Sequence, residues 1–542
     1  MRYLRYIQLV VAIIAVAVIA VTGRETLQRT NADPNDAPKA TIPVYSGPPI
    51  EGGEIVFDLE ADPNGLDPTR NAWDPSGILV ANAVFDTWTA YDVDGNVQPY
   101  LAEKLTHNDD YTKWTIKVRP GVKFHNGRKL DAEAGIRIVK ALKESIVTGQ
   151  AAAQVDTWET IDDETVQLNM KAPWASFPAL LTGQGGYVVA PEQLDDPKGS
   201  EHPIGTGPFK LAGWELGKSI QFNKNQDYWR TGLPHLDRIT FNVVSDGKTR
   251  IANLQNNKSD LTTMSTRAEI QQLDSLPTDS GITVEHDKGV TESEFVMFNT
   301  AKPPLDDVRV RQAIAYATDV AAIEKANDWS KDRRSTGPFA KDSPWFADTE
   351  NISFDLIKAK DLVNAYEAEK GKINITLSAG IDVPVAQQLI DQWAKVGINA
   401  KVEVVDVHKA VLFTVIGQYE ATLFRYFASP DPDVLSYFWI SDTSRPVGEI
   451  SLNFTRLTDD AIDKALREGR GTDDVTTRKK AYRIVQGRFA TLVPYVWLTR
   501  VDWVIAHQAR LRDARNMTLP DGEKAMPYLS GVFRLTEAWL EP

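Results

Sequence analysis

Val385, Leu389, Trp393 and Val396 recur at helical spacing, stop at Gly397, and give way to Ile398, Ala400, Val402 and Val404 at alternate positions. Spacing of three to four places the first set on one helix face, and spacing of two places the second on one strand face. Gly397 suits the left-handed residue that ends such a helix. A helix that hands over at once to a strand is an α/β unit, and no other feature restricts the chain's architecture as much. The same change of period occurs elsewhere. Trp114, Ile116 and Val118 alternate with Thr115, Lys117 and Arg119, predicting a half-buried strand. Pro120-Gly121 and Asn126-Gly127 supply turns. Asp131 can cap a helix in which Ile136, Val139, Leu142 and Ile146 share a face. A further helix around Arg478 to Thr491 leads into the apolar run Tyr495-Val496-Trp497-Leu498, read as a buried strand. At 542 residues the chain exceeds what one hydrophobic core supports, so two or more lobes are expected.

The folded body is expected to begin at Glu54-Ile55-Val56-Phe57. Before it, Arg2 and Arg5 precede an apolar run from Ile7 to Val21 that contains no charge. Positive charge followed by such a run reads as an export signal. Left uncut, the run reads as a tilted membrane anchor with its arginines on the cytoplasmic side, although a span needs roughly 17–25 apolar residues. Residues 1–23 are thus a signal peptide or anchor. Residues 24–47, rich in Pro, Asp and Gly towards their end, are a linker.

Several functions are excluded early. A net charge of -14 repels a phosphate backbone, so nucleic acid is not an expected partner. The absence of cysteine rules out disulfides, zinc-thiolate sites and iron-sulfur clusters. Gly213-Trp214-Glu215-Leu216-Gly217-Lys218-Ser219 is one residue short of a phosphate loop and reads as a hairpin turn. The seven histidines (His107, His125, His202, His235, His286, His408 and His507) are scattered, and no two lie within a helical turn. No metal site, cofactor or catalytic constellation is expected.

A series of motifs then appears in order. Gly53-Glu54-Ile55-Val56 is followed by Asp62-Pro63-Asn64-Gly65-Leu66-Asp67-Pro68, and Pro99-Tyr100-Leu101-Ala102-Glu103 by the segment from Trp114 through Arg119-Pro120-Gly121-Val122-Lys123-Phe124-His125-Asn126-Gly127. Next come Pro203-Ile204-Gly205-Thr206-Gly207-Pro208-Phe209, Asn225-Gln226-Asp227-Tyr228-Trp229, Lys302-Pro303-Pro304-Leu305-Asp306-Asp307-Val308-Arg309-Val310-Arg311-Gln312-Ala313, and Pro430-Asp431-Pro432-Asp433. Together they resemble family 5 of the solute-binding proteins of ABC importers, which covers oligopeptide, dipeptide and nickel-complex binders. Most of these motifs are read as scaffold; Asp306, for example, can cap the helix after it.

The resemblance implies a two-lobe α/β fold of the periplasmic-binding-protein type II class, large and with an extra subdomain, hinged around a ligand cleft. The lobes implied are 48–288 with 500–542 returning to it, and 289–499, with crossings near Gly289 and Thr499. It further implies a non-enzymatic, extracytoplasmic, monomeric protein that captures a peptide-like or other small polar solute and delivers it to an ABC permease. A ligand-sensing partner of a membrane receptor would use the same fold.

Peptide-binding members place an aspartate shortly before the Asp-Pro-Asp segment, against the peptide's amine; here that position falls near Ala428. The site candidates are therefore Arg425, Tyr426, Phe427, Asp431, Asp433, Tyr437 and Trp439. Arg425 offers a fork of donors to a carboxylate or phosphate, or else forms a structural ion pair. Asp431 and Asp433 stand in for the missing carboxylate or simply form the turn and cap a helix. The aromatic residues are candidate cleft walls or core.

Overall fold

The leading run is a strand, Glu54–Leu59, with Ile55, Phe57 and Leu59 almost wholly buried, so one alternating face of the sequence enters the core. It lies fourth in a seven-stranded sheet whose order is Ile282–His286, Val504–Gln508, Leu261–Met264, Glu54–Leu59, Arg238–Val243, Ser219–Lys224 and Phe209–Glu215. It pairs in parallel with both neighbours. A computed structural model describes residues 45, 47–145, 148–287 and 289–542. The export or anchor segment, nearly all of the linker, and Ile146 lie outside these residues. Residues 48–542 form one compact unit.

The second sheet has five strands in the order Asn399–Val404, Asn374–Ala379, Ala421–Arg425, Ser293–Phe298 and Tyr495–Arg500. The unit that opened the sequence argument belongs here. Val385, Leu389 and Trp393 lie buried on the helix Val383–Ala394, and Gly397 takes φ +95° as the chain turns into Asn399–Val404. That strand is an edge, and its burial fades along its length. Ile398 just before it is buried, whereas Val404 is 67% exposed. The apolar alternation therefore marked a strand but overstated how much of it is covered. The run at 495–498 forms the other edge strand, Tyr495–Arg500, with Tyr495, Val496 and Leu498 buried.

A third, antiparallel sheet has its own core and the order Ala102–His107, Lys113–Val118, Thr165–Met170 and Val155–Asp162. Trp114, Ile116 and Val118 point into that core, and Asp131 caps the helix Ala132–Glu144 by accepting from the Ala134 N–H at 2.9 Å. The buried face of this helix runs through Ala134, Ile138 and Leu142; Ile136 and Val139 flank it half-buried. The stripe is offset because small residues, invisible to a count of large apolar ones, sit against the sheet. Phe209–Glu215 and Ser219–Lys224 form the expected antiparallel hairpin, with Gly217 at φ +73°. One capping expectation is corrected. The helix Val308–Ala317 is capped by Asp307, which accepts from the Arg309 N–H at 2.9 Å; Asp306 stands one residue too early.

The chain passes between the two large sheets twice, after His286 and after Arg500. The two passages are bonded to each other. The Asp287 N–H donates to the Trp503 carbonyl at 2.7 Å, and the Val501 N–H donates to the Glu292 carbonyl at 3.0 Å. Trp503 Nε1 also donates to Glu292 Oε1 at 2.9 Å.

Candidate functional site

A cleft of about 1260 Å³ opens where these crossings lie. The seven-stranded side contributes Glu60, Ser265 and Trp503, the five-stranded side Ile381 and Arg425, and the third-sheet region Phe177. Its size is that of a site for a small organic molecule or short peptide rather than for an ion.

Arg425 ends the strand Ala421–Arg425 and stands directly across from Glu294 in antiparallel register. Its Nε and Nη2 donate to Glu294 Oε2 at 2.9 and 2.6 Å, and Nη2 also reaches Asp382 Oδ2 at 3.0 Å. Nη1 donates to Ser265 Oγ at 3.2 Å, joining the five-stranded side to the end of Leu261–Met264. Glu294 is almost wholly buried. Burial, aided by the neighbouring Asp382 carboxylate, pushes its carboxyl up to about 8, with Arg425 pulling the other way. Burial disfavours the Arg425 charge, but Glu294 and Asp382 outweigh it and push the guanidinium up. Of its two sequence readings, the structure thus displays the ion pair. Asp382 has the backbone to meet it: φ +42° at the start of the helix Val383–Ala394, with its side chain free of any capping bond.

The other sequence candidates divide. Tyr426, Phe427 and Tyr437 line the cleft with Arg425. The Tyr426 ring stacks on Phe438 with centroids 4.4 Å apart, and its hydroxyl lies 3.0 Å from that of Tyr495. Phe427 is 39% exposed, a large apolar surface held open to the cleft. Asp431, Asp433 and Trp439 do not line it. Asp431 caps the 3₁₀ helix Pro432–Phe438 and takes a two-pronged ion pair from Arg478 at 3.0 and 2.7 Å. Asp433 is buried and accepts from Trp174 Nε1, Ser176 Oγ and Arg470 Nε at 2.7–3.1 Å. Trp439 is core, edge-on to Phe489 at 5.3 Å. Ala428 lines the cleft and bears no charge; its N–H donates to Ser530 Oγ at 3.3 Å.

Sequence reasoning did not find Glu60, Glu292, Glu294, Asp382 or Trp503. They lie between 43 and 365 residues from Arg425 in the chain and carry no local motif. Only the strand register and the two crossings bring them together.

Two mixed α/β sheets, linked twice around a solute-sized cleft, define a two-lobe binding protein of the periplasmic type. The protein belongs to the bacterial extracellular solute-binding proteins, family 5: a sequence profile of the family's middle region matches residues 96–448. The family consists of solute-binding proteins of ABC importers, not enzymes. The chain is similar to the glutathione-binding protein GsiB of Escherichia coli, with 25% identity over 84% of this chain and 91% of that protein. DppA of Helicobacter pylori, solved with the peptide STSA, superposes with a TM-score of 0.80 at 23% identity, covering 91% of this chain and 99% of that one. AgaA of A. tumefaciens, solved with agropinic acid, gives 0.79 at 23% identity, covering 90% and 99%. Among the described residues no helix is long and apolar enough to cross a membrane.

Proposed function

We propose that this protein captures a peptide-like or similarly sized organic solute in the cleft beside Arg425 and closes over it for delivery to an ABC permease. The observation that carries this reading is the cleft itself: about 1260 Å³, walled from both large sheets, with Arg425 reaching Ser265 across it. The relatives agree in kind, since GsiB is named for glutathione, DppA holds the peptide STSA and AgaA holds agropinic acid. In this reading one lobe comprises 48–288 with 500–542 returning, and the other comprises 289–499. The bonded crossings at 287–292 and 501–503 are the hinge. A bound solute favours closure only by its differential affinity for the closed form. A micromolar ligand supplies about 8 kcal/mol in total, ample for an opening equilibrium of a few kcal/mol.

Among the named candidates, Arg425, Tyr426, Phe427 and Tyr437 contact the solute, while Asp431, Asp433 and Trp439 support the wall behind them. The protein works as a monomer outside the cytoplasm, and the Ile7–Val21 run, if uncut, holds it at the outer face of the membrane. Small-angle scattering titrated with peptides, opines, amino sugars and metal chelates tests the central claim. A solute-dependent fall in radius of gyration is expected, and an unchanged profile with every class would sink it.

A further inference from the structure

The charges on the cleft wall do not balance. Among the described residues six carboxylates line it, on Glu60, Asp62, Asp74, Glu292, Asp382 and Asp406, against three guanidiniums and no lysine or histidine. The guanidiniums are already engaged. Arg425 is held by Glu294 and Asp382. Arg515 pairs with Glu285 and lies over the Tyr528 ring. Arg534 donates to the Phe85 carbonyl and to Thr87 Oγ1, beside the buried carboxyl of Asp86.

Three of the acids, Glu60, Asp62 and Glu292, keep an oxygen without a partner among the described residues; Asp62 accepts from the Gly217 N–H through Oδ2 at 2.6 Å, while its Oδ1 has none. Glu60 has no hydrogen-bond or ion-pair partner among the described residues. Its side chain is exposed into the cleft yet enclosed by the walls, and this desolvation pushes its carboxyl up. Glu292 is only 6% exposed and lines the cleft; Trp503 holds its Oε1, while its Oε2 is buried without a partner. Glu60 and Glu292 both interact electrostatically with Arg425, which places them around the same end of the cleft. A buried carboxylate oxygen without a donor is costly, and a cation from the ligand removes that cost.

We propose that the solute selected by this cleft carries a cationic group, an ammonium or guanidinium, held by Glu60 and Glu292 beside Arg425. This rests on the cleft being the solute site and specifies its chemistry. Arg425 then acts as the fixed counter-charge that spaces the carboxylates, not as a receptor for an anion. The ligand's apolar part lies against Phe427 and Leu412, which are 39% and 55% exposed on the cleft wall. The protein's net charge of -14 steers a cation towards it from solution.

The test uses three probes with one apolar body and different charge: phenethylamine, 2-phenylethanol and 3-phenylpropionate, titrated calorimetrically into the folded protein. The amine is expected to bind at least about tenfold more tightly than the alcohol, and the carboxylate more weakly still. In the Glu60→Gln/Glu292→Gln double variant the amine should lose its advantage over the alcohol. Glu60→Gln alone, at an exposed position, gives a partial loss and guards against a folding defect at Glu292. The inference is overturned if the three probes bind alike, if the carboxylate binds best, or if the amine keeps its advantage in the double variant. Scattering that still reports closure with a neutral or anionic solute would leave the cleft reading standing while this one falls.

Discussion

Glu294 lies directly opposite Arg425 on the neighbouring antiparallel strand, and a single oxygen, Oε2, accepts from both Nε and Nη2 of the guanidinium. Its other oxygen, Oε1, is buried without a partner, and Asp382 competes for the same guanidinium. Two carboxylates on one cation in a dry setting make the protonation of Glu294 part of the protein's stability.

The pH dependence follows from that arrangement. The Glu294 carboxyl stands near 8 in the folded protein against 4.5 ordinarily, and burial likewise raises Asp287 to about 7 from 3.8. A raised carboxyl means that the folded state binds the proton more tightly than the unfolded one. The resulting stability is complete below the ordinary value and is lost as pH rises through the folded one. Stability from these two groups should therefore decline between about pH 4 and pH 8. Urea midpoints for wild type and Glu294→Gln, which cannot ionise, should diverge across that range; parallel profiles would refute the assignment.

Removing the cation should expose the like charges. Arg425→Gln leaves Glu294 facing Asp382, and breaking a buried pair costs about 3–5 kcal/mol when the remaining charge cannot be neutralised. A proton on Glu294 does neutralise it at lower pH. The loss measured by denaturation should thus be larger near about pH 9 than near about pH 6. A loss independent of pH would show that Glu294 does not take up the proton.

Asp433 is the hub of a second buried set, accepting from Trp174, Ser176 and Arg470, with the Arg470 guanidinium 5.0 Å from the Trp174 ring centroid. Asp433→Ala strands three donors at once. A loss of about 3–5 kcal/mol in chemical denaturation is expected. A change under about 1 kcal/mol would mean that the set is solvated.

The helix cap offers a sharper local test. Asp307→Ala should cost about 1 kcal/mol through loss of the bond to the Arg309 N–H, whereas Asp306→Ala should cost clearly less. Equal losses would return the capping role to Asp306.

What could be read without the structure follows from the range of the interactions involved. Helix 383–394 and strand 495–500 were visible because burial imprints a period on neighbouring residues. Hairpins and caps were visible because their chemistry is local, although the Asp306/Asp307 step shows the one-residue blur of such readings. The motif series identified the family, since its spacing survives where individual contacts do not. The cleft wall was legible only in part. Tyr426, Phe427 and Tyr437 face the cleft, but aromatic residues near a turn look alike whether they end in core, as Trp439 does, or in a wall. Glu294 and Glu292 sit in a segment that reads as plain strand entry. What gives them meaning is distant chain, Arg425 in register with Glu294 and the second crossing bonded to Glu292, which composition does not encode.

The position of Val504–Gln508 has a consequence for the order in which the molecule can assemble. This late strand lies inside the seven-stranded sheet, between Leu261–Met264 and Ile282–His286. A chain emerging N-terminus first therefore carries a sheet with a missing interior strand for more than two hundred residues, and Leu261–Met264 presents an open edge throughout. The five strands between Ser293 and Arg500 need nothing from outside that stretch. The second sheet can thus mature while the first is still waiting, so the half begun first is the half finished last. Truncation anywhere before residue 508 leaves the early sheet unfinished and prone to pairing with a neighbour, and full length becomes a condition for solubility as well as for binding.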